Sequence, residues 1–382
     1  MATKFTGLIL ASGIKNGDPS ALILETLAPF SITVLSSELM SVRDRFVLSL
    51  LIELIPDHQE PISADLDAIT ALGDIDIAYE FQAFDFAAAL GRVPVTRELR
   101  IIGTKLTPGD LFTIAKKLNA TNPVHSLKVE STLSYSLSTW LVDNSLEDLD
   151  ANLQGLKEIL HPRGLSFAST SVAENVGNGA VFFLDMDSTF INEEVIDVIA
   201  RVAGVEAEVA AITERAMKGE LDFVDSLKER VLLLKGQPAS ILDHARNQIT
   251  FTEGATDLVR AVQAAGGRIG IISGGFHNVI DELLAPLNLD LIVANRFGIQ
   301  DGLLTGLIEG PIIDRAAKAS HLKSFSQGSK VSIAIGDGAN DLDMLAAADI
   351  GIAFCAKEIL RAGADVMIEV RDLQLVLPLI SL

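Results

Sequence analysis

The chain has 382 residues, 49% of them hydrophobic, which is enough to bury more than one core and excludes a disordered chain. With 51 acidic against 30 basic residues, the formal charge of −21 argues against nucleic acid and anionic membrane surfaces as partners. The single cysteine, Cys355, excludes an internal disulfide, and six scattered histidines give no zinc cluster.

The N-terminus lacks a basic region followed by an apolar stretch and a cleavage site, and the longest apolar run, Phe46 to Ile55, is short and contains Ser49 and Glu53. A cytoplasmic protein without a membrane span is therefore expected.

Taken in order, the first third predicts two copies of one α+β module, residues 1–84 and 97–172. In the first, strand Phe5–Ser12, helix Ser20–Pro29, strands Ile32–Leu35 and Arg45–Ile55, helix Ala64–Leu72 and strand Ile75–Phe81 give β-α-β-β-α-β. The order recurs with strand Leu99–Gly103, helix Gly109–Leu118, strands near Ser126–Leu133 and Tyr135–Val142, helix Leu146–Ile159 and strand Leu165–Ser171. Ala83–Thr96 reads as a linker. Neither copy holds a cluster of acids, histidines or cysteines. This repeated unit is similar to the ferredoxin-like split βαβ arrangement and resembles a tandem pair of ACT regulatory domains. That resemblance implies small amino-acid effectors near the glycine-bearing stretches Gly13–Asp18 and Gly103–Asp110, and edge-to-edge pairing between chains. The same glycines could equally serve only as turn residues.

A polar joint, Ala173–Gly179, precedes VFFLDMDST, Val181 to Thr189. Four apolar residues read as a short buried strand that ends in two carboxylates one residue apart. Beyond it, apolar runs at Arg268–Ser273, Leu291–Asn295, Val331–Gly336, Ile350–Phe354 and Val366–Glu369 alternate with helical stretches, predicting a doubly wound, mostly parallel sheet over 180–382. Ligands of such sheets sit beyond the carboxyl ends of the strands. An insertion, residues 191–250, reads as almost entirely helical, and a cap in this position would cover the ligand edge.

Buried unpaired carboxylates are costly, so Asp185 and Asp187 ask for a cation. On its own, DxDST could be no more than an Asx turn with helix caps. The other parts needed to move a phosphoryl group also fall at strand ends. Asp185 would be the nucleophile and Asp187 the acid. Ser273-Gly274-Gly275, leading into a predicted helix, would offer a hydroxyl and backbone N–H groups to an anion, and Lys318 would add charge. Gly336-Asp337-Gly338-Ala339-Asn340-Asp341 follows the strand at Val331. Asp185, the Asp187 carbonyl and Asp337 would hold magnesium, with Asp341 and Asn340 supporting them from outside. The alternation of acids that an EF-hand calcium loop requires is missing.

DMDST, SGG, a lysine and GDGAND, in that order, resemble the haloacid dehalogenase superfamily of aspartate-dependent phosphatases. Within it, DMDSTFINEEVID, ITERAMKGELDFVDSLKERVLLLKG, ISGGF, DGLLTG, GPIIDRAAKA, AIGDGANDLDML and GIAFCAK look like segments of the phosphoserine phosphatase family. The resemblance implies Mg²⁺-dependent hydrolysis of O-phospho-L-serine, the last step of serine biosynthesis, through an aspartyl-phosphate on Asp185, with Asp187 as acid and then base. It implies that Ser273, Gly274 and Lys318 hold the phosphate. Glu194 would take the substrate ammonium and Arg230 its carboxylate, with Met217 and Phe223 closing the pocket and Asn340 contributing to it. Glu193 is the rival for Glu194, and the motif spacing selects Glu194. The ACT resemblance adds L-serine as an effector and a homodimer. The competing readings are a phosphatase for phosphothreonine or phosphohomoserine, and a non-catalytic amino-acid sensor.

Overall fold

A computed structural model describes residues 5–14, 19–82, 96–119, 124–132, 134–143, 149–171 and 179–380. Of the predicted linker Ala83–Thr96 and joint Ala173–Gly179, residues 83–95 and 173–178 lie outside the described residues, as does the stretch 15–18, while Thr96 already belongs to a strand. The chain divides into two compact units, Met1–Val93 and Pro94–Leu382.

In the first unit, β1 (Phe5–Ile14), α1 (Pro19–Leu27), β2 (Thr33–Val42), β3 (Arg45–Leu54), α2 (Gln59–Thr70) and β4 (Ile75–Gln82) follow the expected order. They build an antiparallel sheet in the order β2-β3-β1-β4. Period-two alternation buries Phe46, Leu48, Leu50, Ile52 and Leu54 of β3 in one core with Ile62, Leu66 and Ile69 of α2. On the opposite face Leu8, Leu10 and Val47 are exposed. Strand β2 runs seven residues past its predicted end at Leu35, because Ser36–Val42 pairs along β3 down to Val42 opposite Arg45. Tertiary pairing overrides the low strand preference of SSELMS.

The second unit begins with β5 (Thr96–Gly103), α3 (Pro108–Asn119), β6 (Val124–Ser131), β7 (Ser136–Asp143), α4 (Leu149–Leu160) and β8 (Ser166–Ser171). Their strand order, β6-β7-β5-β8, repeats that of the first unit. Next come β9 (Ala180–Leu184), four helices α5 (Val195–Ala203), α6 (Glu206–Met217), α7 (Phe223–Leu232) and α8 (Ile241–Arg246), then α9 (Ala255–Ala264), β10 (Arg268–Phe276), α10 (His277–Leu284) and β11 (Leu291–Asn295). A hairpin, β12 (Phe297–Gln300) and β13 (Leu303–Ile308), is followed by α11 (Arg315–Phe325), β14 (Val331–Gly336), α12 (Leu342–Ala347), β15 (Ile350–Phe354), α13 (Glu358–Arg361), β16 (Val366–Ile368) and α14 (Val376–Ile380).

Strands β11-β10-β9-β14-β15-β16 form a parallel sheet. At its edge β16 pairs antiparallel with β8, Val366 opposite Ala168 and Met367 opposite Phe167. The second repeat and the parallel sheet therefore share one continuous sheet, an arrangement that the reading of two separate folds does not contain. Two edge strands that meet satisfy each other's free backbone groups.

Strand β9 is buried throughout and sits at the centre, with β10 on one side and β14 on the other. Phe182 and Leu184 belong to one core cluster and Phe183 to another, so both faces are covered. Each buried Phe contributes about 2–3 kcal/mol. The chain leaves β9 first towards β10 and later returns to β14. This reversal opens a crevice at the carboxyl end of β9. Over that end lie the helices of the 191–250 insertion, anchored at their base by Asn192 N–H to the Thr250 carbonyl at 3.0 Å and by an Ile191–Phe251 bridge. Among the described residues no helix is long and apolar enough to cross a membrane.

Candidate active site

Asp185 directly follows β9 at 2% exposure, its N–H donating to the Ile335 carbonyl at 2.9 Å. Its Oδ1 accepts from the Met186 N–H at 2.8 Å and pairs with Lys318 Nζ at 2.7 Å, while Asn340 Nδ2 reaches Oδ2 at 3.3 Å. Lys318, 1% exposed, extends from α11, which starts where Asp314 accepts the Ala317 N–H at 2.8 Å. The same ammonium meets Asp341 Oδ1 at 2.7 Å.

Asp341, expected to support the metal ligands from outside, also accepts the Gly338 N–H on Oδ2 at 3.1 Å, and carboxylate oxygens of Asp185, Asp337 and Asp341 all lie within 4.8 Å of one another. The turn over Ala339–Asp341 folds back onto the strand end. A Cβ at Gly336 would lie 2.5 Å from the Asp341 carboxylate, so only glycine admits this approach. Asp187 points elsewhere. Its Oδ1 accepts from the N–H of Val195, the first residue of α5, at 2.9 Å, and its Oδ2 accepts from Ser273 Oγ at 3.3 Å.

Electrostatics follow from this crowding. Burial pushes Asp185 well above the usual carboxylate range, with Asp341, Asp187 and Asp337 adding to the effect and Lys318 opposing it. Burial, then Asp341 and Glu194, push Asp337 up to about 6. Burial and Glu194 push Asp187 up to about 7 against the Val195 N–H, Lys318 and Ser273. Burial works against the Lys318 charge, but Asp185 and Asp341 outweigh it and hold the ammonium above its ordinary value. Four acids around one buried ammonium lack positive charge, and the close oxygen set of Asp185, Asp337 and Asp341 suits a hard divalent cation.

Ser273 is fully buried on β10, and its Oγ accepts the Gly275 N–H at 2.7 Å. The two glycines lead, through Phe276, into the expected helix, α10, which starts at His277. They stay extended because β10 continues to Phe276, paired with Asn295, whose Nδ2 holds the Gly274 carbonyl at 2.7 Å. A Cβ at Gly275 would come within 2.9 Å of Ser273 Oγ and 3.1 Å of Asp187 Oδ2, whereas one at Gly274 would meet the Phe223 ring at 3.2 Å.

A cleft of about 200 Å³ brings Asp185, Asp187, Gly274, Asp337 and Asn340 together with Glu194, Phe223 and Arg230 of the helical insertion. Glu194 precedes α5 and accepts from Ser188 Oγ at 2.8 Å. Glu193 turns away, its carboxylate accepting from the Thr250 N–H at 2.9 Å and Thr250 Oγ1 at 2.8 Å, whereas Glu194 lines the cleft. Arg230, in α7, donates to the Ser226 carbonyl at 3.3 Å. Burial lowers its pKa against Asp197, Glu194 and Asp187. Met217 ends α6, and its side chain lies outside the described residues. Gly13, one residue before the end of β1, and Gly103, at the end of β5, lie in the first unit and in the repeat, far along the chain from these residues. Each is crowded, a Cβ meeting the Asp74 carbonyl and Leu165 respectively at 2.4 Å. Sequence reasoning missed the lining residues Lys357, Ile196 and Leu227. Lys357 was legible only as the last residue of GIAFCAK.

A parallel sheet with this strand-end constellation and helical insertion defines a haloacid dehalogenase-like hydrolase, and the model of that family matches residues 182–346. The phosphoserine phosphatase SerB2 of Mycobacterium tuberculosis is 32% identical over 380 residues, spanning 96% of this chain and 90% of its own. A hydrolase structure of that superfamily from Salmonella enterica superposes with a TM-score of 0.66 at 30% identity, over 74% of this chain and 98% of its own. A substrate-bound phosphoserine phosphatase complex superposes with a TM-score of 0.50 at 42% identity, over 53% of this chain and 97% of its own. The chain belongs to the phosphoserine phosphatase family of haloacid dehalogenase-like hydrolases.

Proposed function

We propose that the cleft hydrolyses O-phospho-L-serine to L-serine and phosphate in two steps, with Asp185 as nucleophile and Asp187 as acid and base. A carboxylate oxygen of Asp185 attacks phosphorus while Asp187 gives its proton to the departing seryl oxygen, leaving an aspartyl-phosphate. Asp187 then takes a proton from water, whose oxygen attacks the same phosphorus and frees Asp185 and phosphate. Ser273, the Gly274–Gly275 backbone and Lys318 bind the phosphoryl oxygens. Asp185 and Asp337, with the Asp187 carbonyl, would hold Mg²⁺, with Asp341 and Asn340 supporting them from outside; when bound, the ion supplies charge that offsets the carboxylates and the phosphate. Glu194 receives the ammonium and Arg230 the carboxylate, while Phe223, Leu227 and Ile196 exclude water.

The observation that carries this reading is the opposite pair Glu194 and Arg230 facing one small cleft whose floor is Asp185 and Asp187. A zwitterionic phosphate ester matches that pattern. Phosphate release from L-phosphoserine, L-phosphothreonine and 4-nitrophenyl phosphate, with Mg²⁺ and with EDTA, tests it. Strong preference for phosphoserine, lost in EDTA, is expected. Equal turnover of all three would discard the roles of Glu194 and Arg230.

The N-terminal repeats act, in this proposal, as ACT-type modules over 1–84 and 97–172, ahead of a catalytic domain over 180–382 of a cytoplasmic enzyme. The identical strand orders, with Gly13 and Gly103 at equivalent strand ends, support this. They bind L-serine and pair two chains into a homodimer, for which the exposed Leu8, Leu10 and Val47 offer an apolar face. Loss of serine inhibition on deleting the first 175 residues is expected, and unchanged inhibition would assign it to product binding.

A further inference from the structure

Ser188 stands between the acid Asp187 and Thr189, and its backbone is left-handed, with φ 55° and ψ 4°. A residue with a side chain adopts that conformation only where its surroundings hold it. Two of its contacts are local. The Ser188 N–H donates to the Glu193 carbonyl at 3.2 Å, and its Oγ donates to Glu194 Oε1 at 2.8 Å. The third comes from 183 positions along the chain, where Arg371 Nη2 donates to the Ser188 carbonyl at 3.1 Å.

Arg371 is itself held from two directions. Its guanidinium lies 5.9 Å from the centre of the Phe354 ring at the end of β15. The next residue, Asp372, pairs with Glu253 just after the insertion returns to the core, and the Leu373 N–H donates to the Glu253 carbonyl at 2.8 Å. The arginine is thus fixed by the sheet and by the base of the insertion, and it delivers one charged donor to the turn that carries the Glu194 partner.

We infer that Arg371 is a positioning residue for the amine end of the substrate: by holding the Ser188 carbonyl it fixes the turn whose hydroxyl aims Glu194 into the cleft. This rests on the reading of Glu194 as the ammonium acceptor. Arg371 touches neither the reacting atoms nor the phosphate site, so its influence falls on recognition of the zwitterion.

Steady-state kinetics of R371A, R371K, S188A, the S188A/R371A double variant and E194Q, with L-phosphoserine and 4-nitrophenyl phosphate, test the inference. The readout is the ratio of kcat/KM for phosphoserine to that for the aryl ester, which has no ammonium. In R371A this ratio falls about tenfold, chiefly through KM, as expected for loss of one charged hydrogen bond. R371K, which keeps charge and a donor, recovers the ratio to within about threefold. The double variant is no worse than S188A, because both act through one turn. If R371A does not fold, R371Q reads the same ratio. A ratio within about twofold of wild type in R371A, with E194Q collapsed, overturns the inference alone. An unchanged ratio in E194Q as well shows that the reading of Glu194 has failed, and the inference falls with it.

Discussion

The N–H of Val195 donates to the Asp187 carboxylate at 2.9 Å, so the first residue of the insertion's first helix holds a carboxylate of the core. Glu194, immediately before it, faces the same cleft. Under the proposed mechanism, the element that would receive the amine would also orient the proton donor, and seating of the insertion would set both at once.

Val195→Pro removes this contact. Proline is tolerated in the first turn of a helix, and Glu194 at φ −91° and ψ 117° already has the extended backbone that precedes proline. The donor is lost, the ring Cδ takes the place of the N–H and pushes Asp187 Oδ1 away, and the buried Val195 side chain is exchanged as well. A hydrogen bond to a charged group contributes about 1.5–3 kcal/mol, so kcat is expected to fall by about 10- to 100-fold with the helix content unchanged by circular dichroism.

Lys318→Met removes the one buried ammonium between Asp185 and Asp341. Breaking a buried pair typically costs about 3–5 kcal/mol, because the remaining charge is left uncompensated. Urea unfolding in EDTA is expected to show a loss of this order, together with loss of turnover. A midpoint equal to wild type would contradict the described electrostatics.

Two adjacent glycines should fail differently. Ala at 275 presses on Ser273 Oγ and Asp187 Oδ2, while Ala at 274 presses on the Phe223 ring of the insertion. Gly275→Ala is expected to lower kcat about tenfold or more, and Gly274→Ala to act mainly on KM, because a ring can give way and a fixed acid cannot.

The neighbouring glutamates also separate. Glu193→Ala removes both bonds to Thr250 at the base of the insertion and should cost about 1–2 kcal/mol of stability with KM nearly unchanged. Glu194→Gln should raise KM for phosphoserine at least about tenfold with little change in the melting temperature.

Cys355 offers a pH-linked test. Burial, with Glu369 and Asp337 adding to it and Arg371 opposing it, pushes its thiol up to about 11. At pH 8 the native thiolate is scarcer than in the unfolded chain, where the thiol has its ordinary value. Iodoacetamide is expected to react roughly 100-fold more slowly with native protein than with urea-unfolded protein, and the gap should narrow as the pH rises towards 11. Equal rates would contradict the burial argument.

Much of the core was legible because its signals are local. An uninterrupted apolar run before DMDST reads as a buried strand, and GDGAND reads as a tight turn whatever surrounds it. What escaped depends on contacts distant in sequence. The pairing of β16 with β8 follows from two free edges meeting, and neither strand encodes its partner. Asp341 was legible as a supporting acid, but its close approach to the strand end depends on Gly336, where a Cβ would meet its carboxylate, a fact of three dimensions. An isolated Lys357 and Arg371 look like solvated charges until the strands place one at the cleft and the other against Ser188. The short hairpin β12–β13 was passed over because DGLLTG carries too few residues for a clear period.

The central claim is that Asp185 carries the phosphoryl group. Acid quenching during turnover of L-phosphoserine, followed by peptide mapping with mass spectrometry, tests it directly. The account predicts one phosphoryl group on Asp185, absent in Asp185→Asn, which keeps its fold but loses turnover. A phosphoryl group on another residue, or near-normal turnover by Asp185→Asn, would contradict it.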